Sequence, residues 1–391
     1  MMRCDVLVVG GGPAGSTCAR ALTRAGIDVI VADKAKFPRD KVCAGWITPA
    51  VVHELELDLG EYARGRTLDA VHGFRIGRIG NRIHEHRYVR PMSYGIRRCE
   101  LDHFLLERSG ARLVQGVKVD AIERRAGRWK VGGIEADVLV GAGGHFCPVA
   151  RATGSMSDAA VIAAEEAEFV FDEAASGGCA VEGGVPELYF TQDLTGYGWA
   201  FRKGPMLNIG LGVRSGAGAG GAGLRRRIED FLAWLVREGR IGRVPEARMK
   251  GHAYVLEPDS RRTRFGGGFV LIGDAAGLAC DRSGEGIRTA VESALMAAHT
   301  IHDALGRGEV GADALASYGT ALARRFGAAA DPSRLLPEKL RRNIAATLMT
   351  SGWFSRRILL ERWFLHAHDD ALPVWPPPAV ASAVLEHSRA A

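Results

Sequence analysis

Val6-Leu7-Val8-Val9-Gly10-Gly11-Gly12-Pro13-Ala14-Gly15 stands at the start of the chain. The four apolar residues read as a strand buried on both faces of a parallel sheet. Gly10, Gly12 and Gly15 fit the pattern G-x-G-x-x-G. The first glycine permits a tight turn, the second a close backbone approach to a pyrophosphate, and the third close packing of helix on sheet. Ser16 to Ala25 then read as a helix closed by Gly26, and Asp28-Val29-Ile30-Val31-Ala32 as a second strand. Asp33 ends that strand, 18 residues after Gly15, where an acid accepts hydrogen bonds from ribose hydroxyls. The free N–H groups and positive dipole end of the helix suit phosphates. Strand, glycine turn, helix, strand and acid in one order predict a dinucleotide site rather than a ligand-free glycine turn.

Outward from this unit, residues near 34–50 read as a loop. Residues from about 67 to 96 alternate in a β-like manner, and Glu100 to Arg108 read as a helix. Leu113-Val114, Val117-Lys118-Val119 and Trp129-Lys130-Val131 suggest a small antiparallel piece. Val138-Leu139-Val140 and Phe269-Val270-Leu271-Ile272 are again short buried strands. Ser215 to Gly223 is a Gly-rich link, followed by an amphipathic helix over Leu224 to Glu238. A long helix is expected from about Gly286 to Leu305. Buried strands with glycine turns thus recur at the start, near 140 and near 272. The pattern predicts an α/β protein with a discontinuous Rossmann-type domain over 1–66, 97–151 and 265–330. A β-rich substrate domain over 67–96 and 152–264 is inserted into it. A helical segment, basic and aromatic and then Pro-rich, follows over 331–391.

Composition narrows the class. The chain has 391 residues, enough for more than one packed domain, with 47% hydrophobic and 25% charged residues. The net charge of +6 is spread along the chain. It suits an enzyme of anionic cofactors and lacks the clustering of a nucleic-acid binder, so no nucleic-acid partner is expected. The cysteines are Cys4, Cys18, Cys43, Cys99, Cys147, Cys179 and Cys280. Their number is odd and no two form a C-x-x-C pair, so neither a disulfide framework nor a zinc site is suggested. Asp5 and the glycine turn break any leader pattern, and no apolar run approaches the roughly 18–20 residues of a membrane span. A cytoplasmic protein is the expectation, with any membrane contact peripheral.

Two further motifs choose the cofactor. Gly273-Asp274-Ala275-Ala276-Gly277, with Ser283-Gly284-Glu285-Gly286-Ile287, resembles the Gly-Asp motif of flavoproteins with the hydroxybenzoate-hydroxylase-like fold. That resemblance implies FAD, with Asp274 at its ribityl chain and Gly273 beside it among the cofactor-binding residues. Gly284, Gly286 and Ile287 would lie at a helix N-terminus aimed at the flavin. More closely, the chain resembles the geranylgeranyl reductase family. Phe37-Pro38-Arg39-Asp40-Lys41-Val42-Cys43-Ala44-Gly45 is similar to that family's Pro-Arg-Asp-Lys-x-Cys-x-Gly segment. Gly196-Tyr197-Gly198-Trp199-Ala200-Phe201-Arg202-Lys203 is similar to its Tyr-x-Trp-x-Phe-Pro-Lys segment. Arg98, followed by Leu101-Asp102, matches the arginine of a helix that touches FAD. Gly141-Ala142-Gly143-Gly144 with Val149-Ala150-Arg151 resembles a third FAD segment. The matches run over about residues 5–290. Gly143, Cys147 and Asp281 depart from the pattern where the family has Asp, Ser and Pro, and Arg282 adds a charge.

The resemblance implies reduction of carbon–carbon double bonds in an isoprenoid or other small hydrophobic substrate, with NAD(P)H as transient electron donor. It implies that Cys43 lies over the flavin, where a thiol can donate a proton; water is the other source, and a free cysteine is also an ordinary small buried residue. Tyr197, Trp199 and Phe201, spaced by two, share one strand face and line either a substrate pocket or a sheet core. His84 and His86 also share a face, but without a third ligand they predict no metal. The Arg341 to Phe364 stretch mixes Arg with Trp, Phe and Leu, which suits a membrane surface or packing on its own protein. A flavin monooxygenase acting on an aromatic or polyketide substrate and a non-catalytic flavin-binding protein remain alternatives. The halogenase segment Trp-x-Trp-x-Ile-Pro is not found. Sequence leaves the oligomeric state open.

Overall fold

The computed structural model describes residues 2–156, 159, 161–171, 178–214, 221–327 and 337–377. Met2–Val9 is the central strand of an eight-stranded sheet. It pairs in parallel with Val29–Asp33 on one side and Ile134–Gly141 on the other, with Val6 opposite both Val29 and Val138. Phe269–Leu271 extends the sheet in parallel beyond Ile134–Gly141. Val6, Leu7 and Val8 are wholly buried, as a strand covered on both faces requires. The Pro13–Arg24 helix and the Ile287–Gly306 helix pack on each other against this sheet.

Two local expectations are corrected. Leu113-Val114 does not belong to an antiparallel piece; Arg112–Gln115 pairs in parallel with Val29–Asp33 at the edge of the main sheet. Val117 to Val119 form no strand, and Trp129 to Val131 pair antiparallel with Ile122–Arg125 and Ile134–Gly141. Short apolar pairs carry no signal for the direction of their partner, and tertiary pairing decides it. The loop expected over 34–50 ends early. Trp46–Ile47 is a strand against Ser93–Ile96, and Thr48 is the N-cap of a Pro49–Glu54 helix with proline in its first turn.

A second sheet has seven strands, in the order Lys250–Val255, Val161–Val170, Met206–Arg214, Gly196–Lys203, Glu187–Phe190, Gly73–Arg78 and Ile83–Arg87. The Gly221–Arg237 helix covers one face, where Ile228, Phe231 and Leu235 meet Leu207, Leu211 and Val213. The opposite face, carrying Ala164, Glu166, Leu188, Trp199 and Phe201, looks into a cavity between the two sheets. The Gly-rich link is described only from residue 221; positions 215–220 lie outside the described residues. Near the C-terminus Ser355–Phe364 winds as a π-helix and packs Leu359, Leu360 and Phe364 on Phe74, Ile76 and Trp199. Among the described residues no helix is long and apolar enough to cross a membrane.

Candidate active site

The cavity measures about 450 Å³ and runs from the first glycine turn to the aromatic face of the second sheet. Sequence alternation explains that face. Along Gly196–Lys203, Tyr197, Trp199 and Phe201 line the cavity, while a Cβ at Gly198 would run into Phe231 on the other side. The Tyr197 hydroxyl donates to the Ser283 carbonyl at 2.5 Å, and the Trp199 indole donates to Asn208 Oδ1 at 2.7 Å. Both polar ends are thereby satisfied and the rings present apolar surface. Phe364 closes the wall, its ring 5.3 Å from that of Tyr197.

At the other end stands the dinucleotide turn. Gly10 has φ +115°, and a Cβ there would stand 2.4 Å from the Ala142 carbonyl oxygen. A Cβ on Gly15 would stand 1.8 Å from the Gly10 carbonyl oxygen, so helix and strand meet at a distance only glycine allows. Gly12 is the N-cap of the Pro13–Arg24 helix and offers it no side-chain cap. The first-turn N–H groups are therefore open to an anionic group. Asp33 accepts from Gly11 N at 2.7 Å and Ala35 N at 2.8 Å, and its carboxylate also lines the cavity. Each oxygen keeps a lone pair for a ligand hydroxyl.

Between the two ends, Asp274 faces the cavity below Gly286, which is the uncapped N-cap of the long helix. Burial alone would raise the Asp274 pKa. His252, whose Nε2 lies 3.6 Å from its carboxylate, together with Lys41 and Arg98, holds it below the ordinary value. Arg98 is itself buried and bound through two nitrogens to Asp102, at 2.8 and 2.9 Å. A second arginine, Arg39, reaches the same carboxylate at 3.1 Å. Gly273, Gly284, Gly286 and Ile287 gather on this wall, with Gly284 at φ +70° against the Tyr254 hydroxyl.

Cys43 lies half-buried in the Arg39 to Trp46 wall. Its main chain is held on both sides: its N–H donates to Glu166 Oε1, and its carbonyl accepts from Asn208 Nδ2 at 3.3 Å. The next carbonyl, of Ala44, accepts from the fully buried Lys203 ammonium at 2.9 Å, which also pairs with Glu168 at 2.7 Å. The lysine at the end of the aromatic segment thus fixes the cysteine loop.

The three departures resolve differently. Gly143 lines the cavity, and a Cβ there would press on Pro148 and Cys147 at 3.1–3.2 Å. Cys147 is wholly buried beneath it, and burial pushes its thiol up. Asp281 pairs with Arg282, whose guanidinium lies 5.3 Å from the Trp363 ring centroid, and neither side chain lines the cavity. His84 and His86 stack on each other and bond outward to the Thr350 carbonyl and the Ser355 hydroxyl. Among the described residues no group of His, Cys, Asp or Glu is placed to hold a metal ion.

Among the lining groups that sequence reasoning missed are Glu166, His252 and Tyr254. For Glu166 a signal existed. In Ala163-Ala164-Glu165-Glu166-Ala167 a strand must turn one of two adjacent acids inward. His252 and Tyr254 alternate in the same manner, on a strand the composition alone did not mark.

A glycine turn on an uncapped helix, an acid at the second strand and an Asp274 turn on a second uncapped helix, around an aromatic cavity, define an FAD-dependent oxidoreductase. The comparisons agree. The family model described as DAO, FAD dependent oxidoreductase, matches residues 5–92. Menaquinone reductase of Mycobacterium tuberculosis H37Rv is 31% identical over 76% of either chain. Digeranylgeranylglycerophospholipid reductase of Methanothrix thermoacetophila is 29% identical over 81% of this chain and 82% of its own. In fold, a geranylgeranyl bacteriochlorophyll reductase-like protein from Thermoplasma acidophilum superposes with a TM-score of 0.71 at 21% identity, over 89% of this chain and 88% of the other. The flavin-dependent halogenase CmlS shares the fold with a TM-score of 0.63 at 20% identity. The chain belongs to the geranylgeranyl reductase family of FAD-dependent oxidoreductases.

Proposed function

We propose that the protein reduces carbon–carbon double bonds of an isoprenoid or other apolar substrate, with electrons from NAD(P)H. One observation carries the reading: the Cys43 loop and the Tyr197, Trp199 and Phe201 face bound the aromatic end of the same cavity that the Asp274 turn lines. FAD, when bound, supplies the hydride. Gly10, Gly12, Gly15 and Asp33 hold its dinucleotide half. Arg98, Gly273, Asp274, Gly284, Gly286 and Ile287 hold its flavin half. The aromatic face orients the alkene and excludes water, and the Cys43 wall is where a proton reaches the second carbon.

A peripheral membrane contact belongs to the same proposal. On the Glu338–Leu348 helix, Leu340, Ile344 and Leu348 are exposed at four-residue spacing beside Lys339 and Arg341, and Trp353 stands out 68% exposed just beyond. An apolar stripe edged with cations suits an anionic bilayer surface. Sedimentation with vesicles of phosphatidylglycerol, lost when Ile344→Glu and Leu348→Glu place acids on this stripe, supports the contact; equal sedimentation removes it.

The activity is tested without oxygen. The protein is reduced with NADPH or NADH and mixed with a polyprenyl alkene while the flavin absorbance is followed. Reoxidation by the alkene, with a product two hydrogens heavier, is the expected result. Reoxidation only by air plus a phenol, with an oxygenated product, makes the protein a monooxygenase instead. Bound FAD that no donor reduces and no acceptor reoxidises makes it a non-catalytic flavin binder.

A further inference from the structure

Glu166 is a carboxyl in an unusual setting. It is 4% exposed, between Ala164 and Glu168 on one face of its strand, and it lines the cavity together with Ala164 and Trp199. One oxygen accepts the Cys43 N–H. The other, Oε2, is buried without a hydrogen-bond partner, in a residue that lines the cavity. Lys203, the buried cation whose charge acts on the carboxyl, is committed to Glu168 and to the carbonyls of Ala44 and Ile96. An ionised carboxylate with a bare buried oxygen is costly, whereas a protonated one is a neutral acid facing the cavity. Burial accordingly pushes the carboxyl up to about 7, against the opposing pull of the Cys43 N–H, Lys203 and Asn208.

We propose that Glu166 is the catalytic acid of the cavity and supplies the proton that completes reduction of the double bond. The proposal rests on the alkene-reductase reading. The hydride forms a C–H bond at one alkene carbon. The π electron pair takes the Glu166 proton at the other, the O–H bond breaking as the second C–H bond forms. The carboxylate left behind regains a proton from water between turnovers. Cys43 serves as the anchor that fixes the acid through its main chain, and its thiol is not the proton source. The groups that face the carboxyl are Cys43 from the loop, Asn208 and Lys203 from the adjoining strands and Glu168 from its own strand; on the neighbouring strand Lys250, bound to Asp40, is paired opposite Glu166, and His252 is paired opposite Ala164.

A purely structural carboxyl and an acid make different demands. Glutamine keeps an oxygen to accept the Cys43 N–H but carries no transferable proton. The experiment follows anaerobic reoxidation of the reduced holoenzyme by a polyprenyl alkene, from about pH 5.5 to 9, around the raised value. In wild type the rate is expected to fall as pH rises through about 7. Glu166→Gln is expected to slow the step on the order of 10²-fold and to flatten that limb. Glu166→Asp should restore part of the rate together with the limb, and Cys43→Ala should keep the limb.

A second readout is independent of turnover. Difference infrared spectra of the protein without cofactor should show a carboxylic C=O band that disappears as pH rises through about 7 and is missing in Glu166→Gln. Glu166→Gln with the wild-type rate and pH profile, or a pH limb abolished by Cys43→Ala instead, overturns the proposal. So does the absence of the band at acid pH. A wild type that the alkene does not reoxidise overturns the reductase reading itself, which separates the two failures.

Discussion

The imidazole of His366, on the C-terminal segment, reaches Glu285 in the turn that precedes the long helix, Nε2 to Oε2 at 3.2 Å. Its other nitrogen meets Asp369 at 3.2 Å, and the Cys280 thiol lies 3.9 Å away. Glu285 lines the cavity next to Gly286, and Arg288 also contacts it, at 3.7 Å. The last described stretch of chain is therefore tied to the turn assigned to the flavin.

That tie predicts the behaviour of His366→Gln. Burial alone would lower the imidazole pKa, but Asp369, Cys280 and Glu285 raise it to about 11. The folded value exceeds the unfolded one, so the stabilisation is fully present below about pH 6.5 and is lost only as pH climbs towards 11. Melting curves of His366→Gln should lie below wild type from acid through neutral pH and converge with it above about pH 10. FAD titration of the apoprotein should show affinity weakened on the order of 10-fold as the ion pair that holds Glu285 is lost.

Glu54 works in the opposite sense. It is 3% exposed, accepts the Leu372 N–H at 2.8 Å and faces Glu292. Burial and Glu292 raise its carboxyl to about 8. Between the unfolded value near 4.5 and about 8, the folded state holds a proton that the unfolded state has released, so stability falls as pH rises through this window. Glu54→Gln keeps an acceptor for Leu372 and removes the charge. Its unfolding free energy from urea titration should match wild type near pH 5 and exceed it near pH 9, by roughly 1–3 kcal/mol. Equal free energies at both pH values would show that Glu54 ionises freely.

Two glycines of one motif should respond unequally to alanine. A Cβ at Gly12 meets nothing nearer than the flexible end of Arg39, at 3.4 Å. Its φ of −74° suits any residue. Gly12→Ala should leave the apoprotein within roughly 0.5 kcal/mol of wild type while weakening FAD, because the methyl group occupies the approach to the helix N-terminus. At Gly15 the methyl group meets a backbone oxygen at 1.8 Å, so helix and strand must part. Gly15→Ala should destabilise the apoprotein itself by several kcal/mol, on the scale of core overpacking or more.

These contrasts show where the sequence was informative. The places of Val6 to Val9, the three glycines and Asp33 in the fold were legible because the unit is local: strand, turn, helix and strand follow one another within a few positions. The aromatic face was legible through period two on one strand. Leu113-Val114 was misplaced because nothing in a short apolar pair specifies a parallel partner. Glu166 and His366 escaped because their meaning lies in partners far along the chain, Cys43 and Glu285. A buried carboxyl or imidazole looks in sequence like any surface one; only the fold removes its water.

Phe364 offers the test of what bounds the cavity. It is 2% exposed, its ring packs at 5.3 Å on Tyr197 and at 6.0 Å on Trp46, and it lines the end of the aromatic wall. Phe364→Ala removes a buried aromatic and should cost roughly 3–5 kcal/mol. Phe364→Leu keeps most of the volume and should cost less, so it separates loss of shape from loss of fold. If the phenyl ring is the stop for an apolar chain, both variants should accept longer polyprenyl substrates than wild type, Ala more than Leu. The KM for short chains should rise as the contact that holds them is lost. Product analysis against chain length measures this. An unchanged length preference in a Phe364→Leu protein that melts near wild type would place the end of the cavity elsewhere, and the aromatic strand alone would then set the fit.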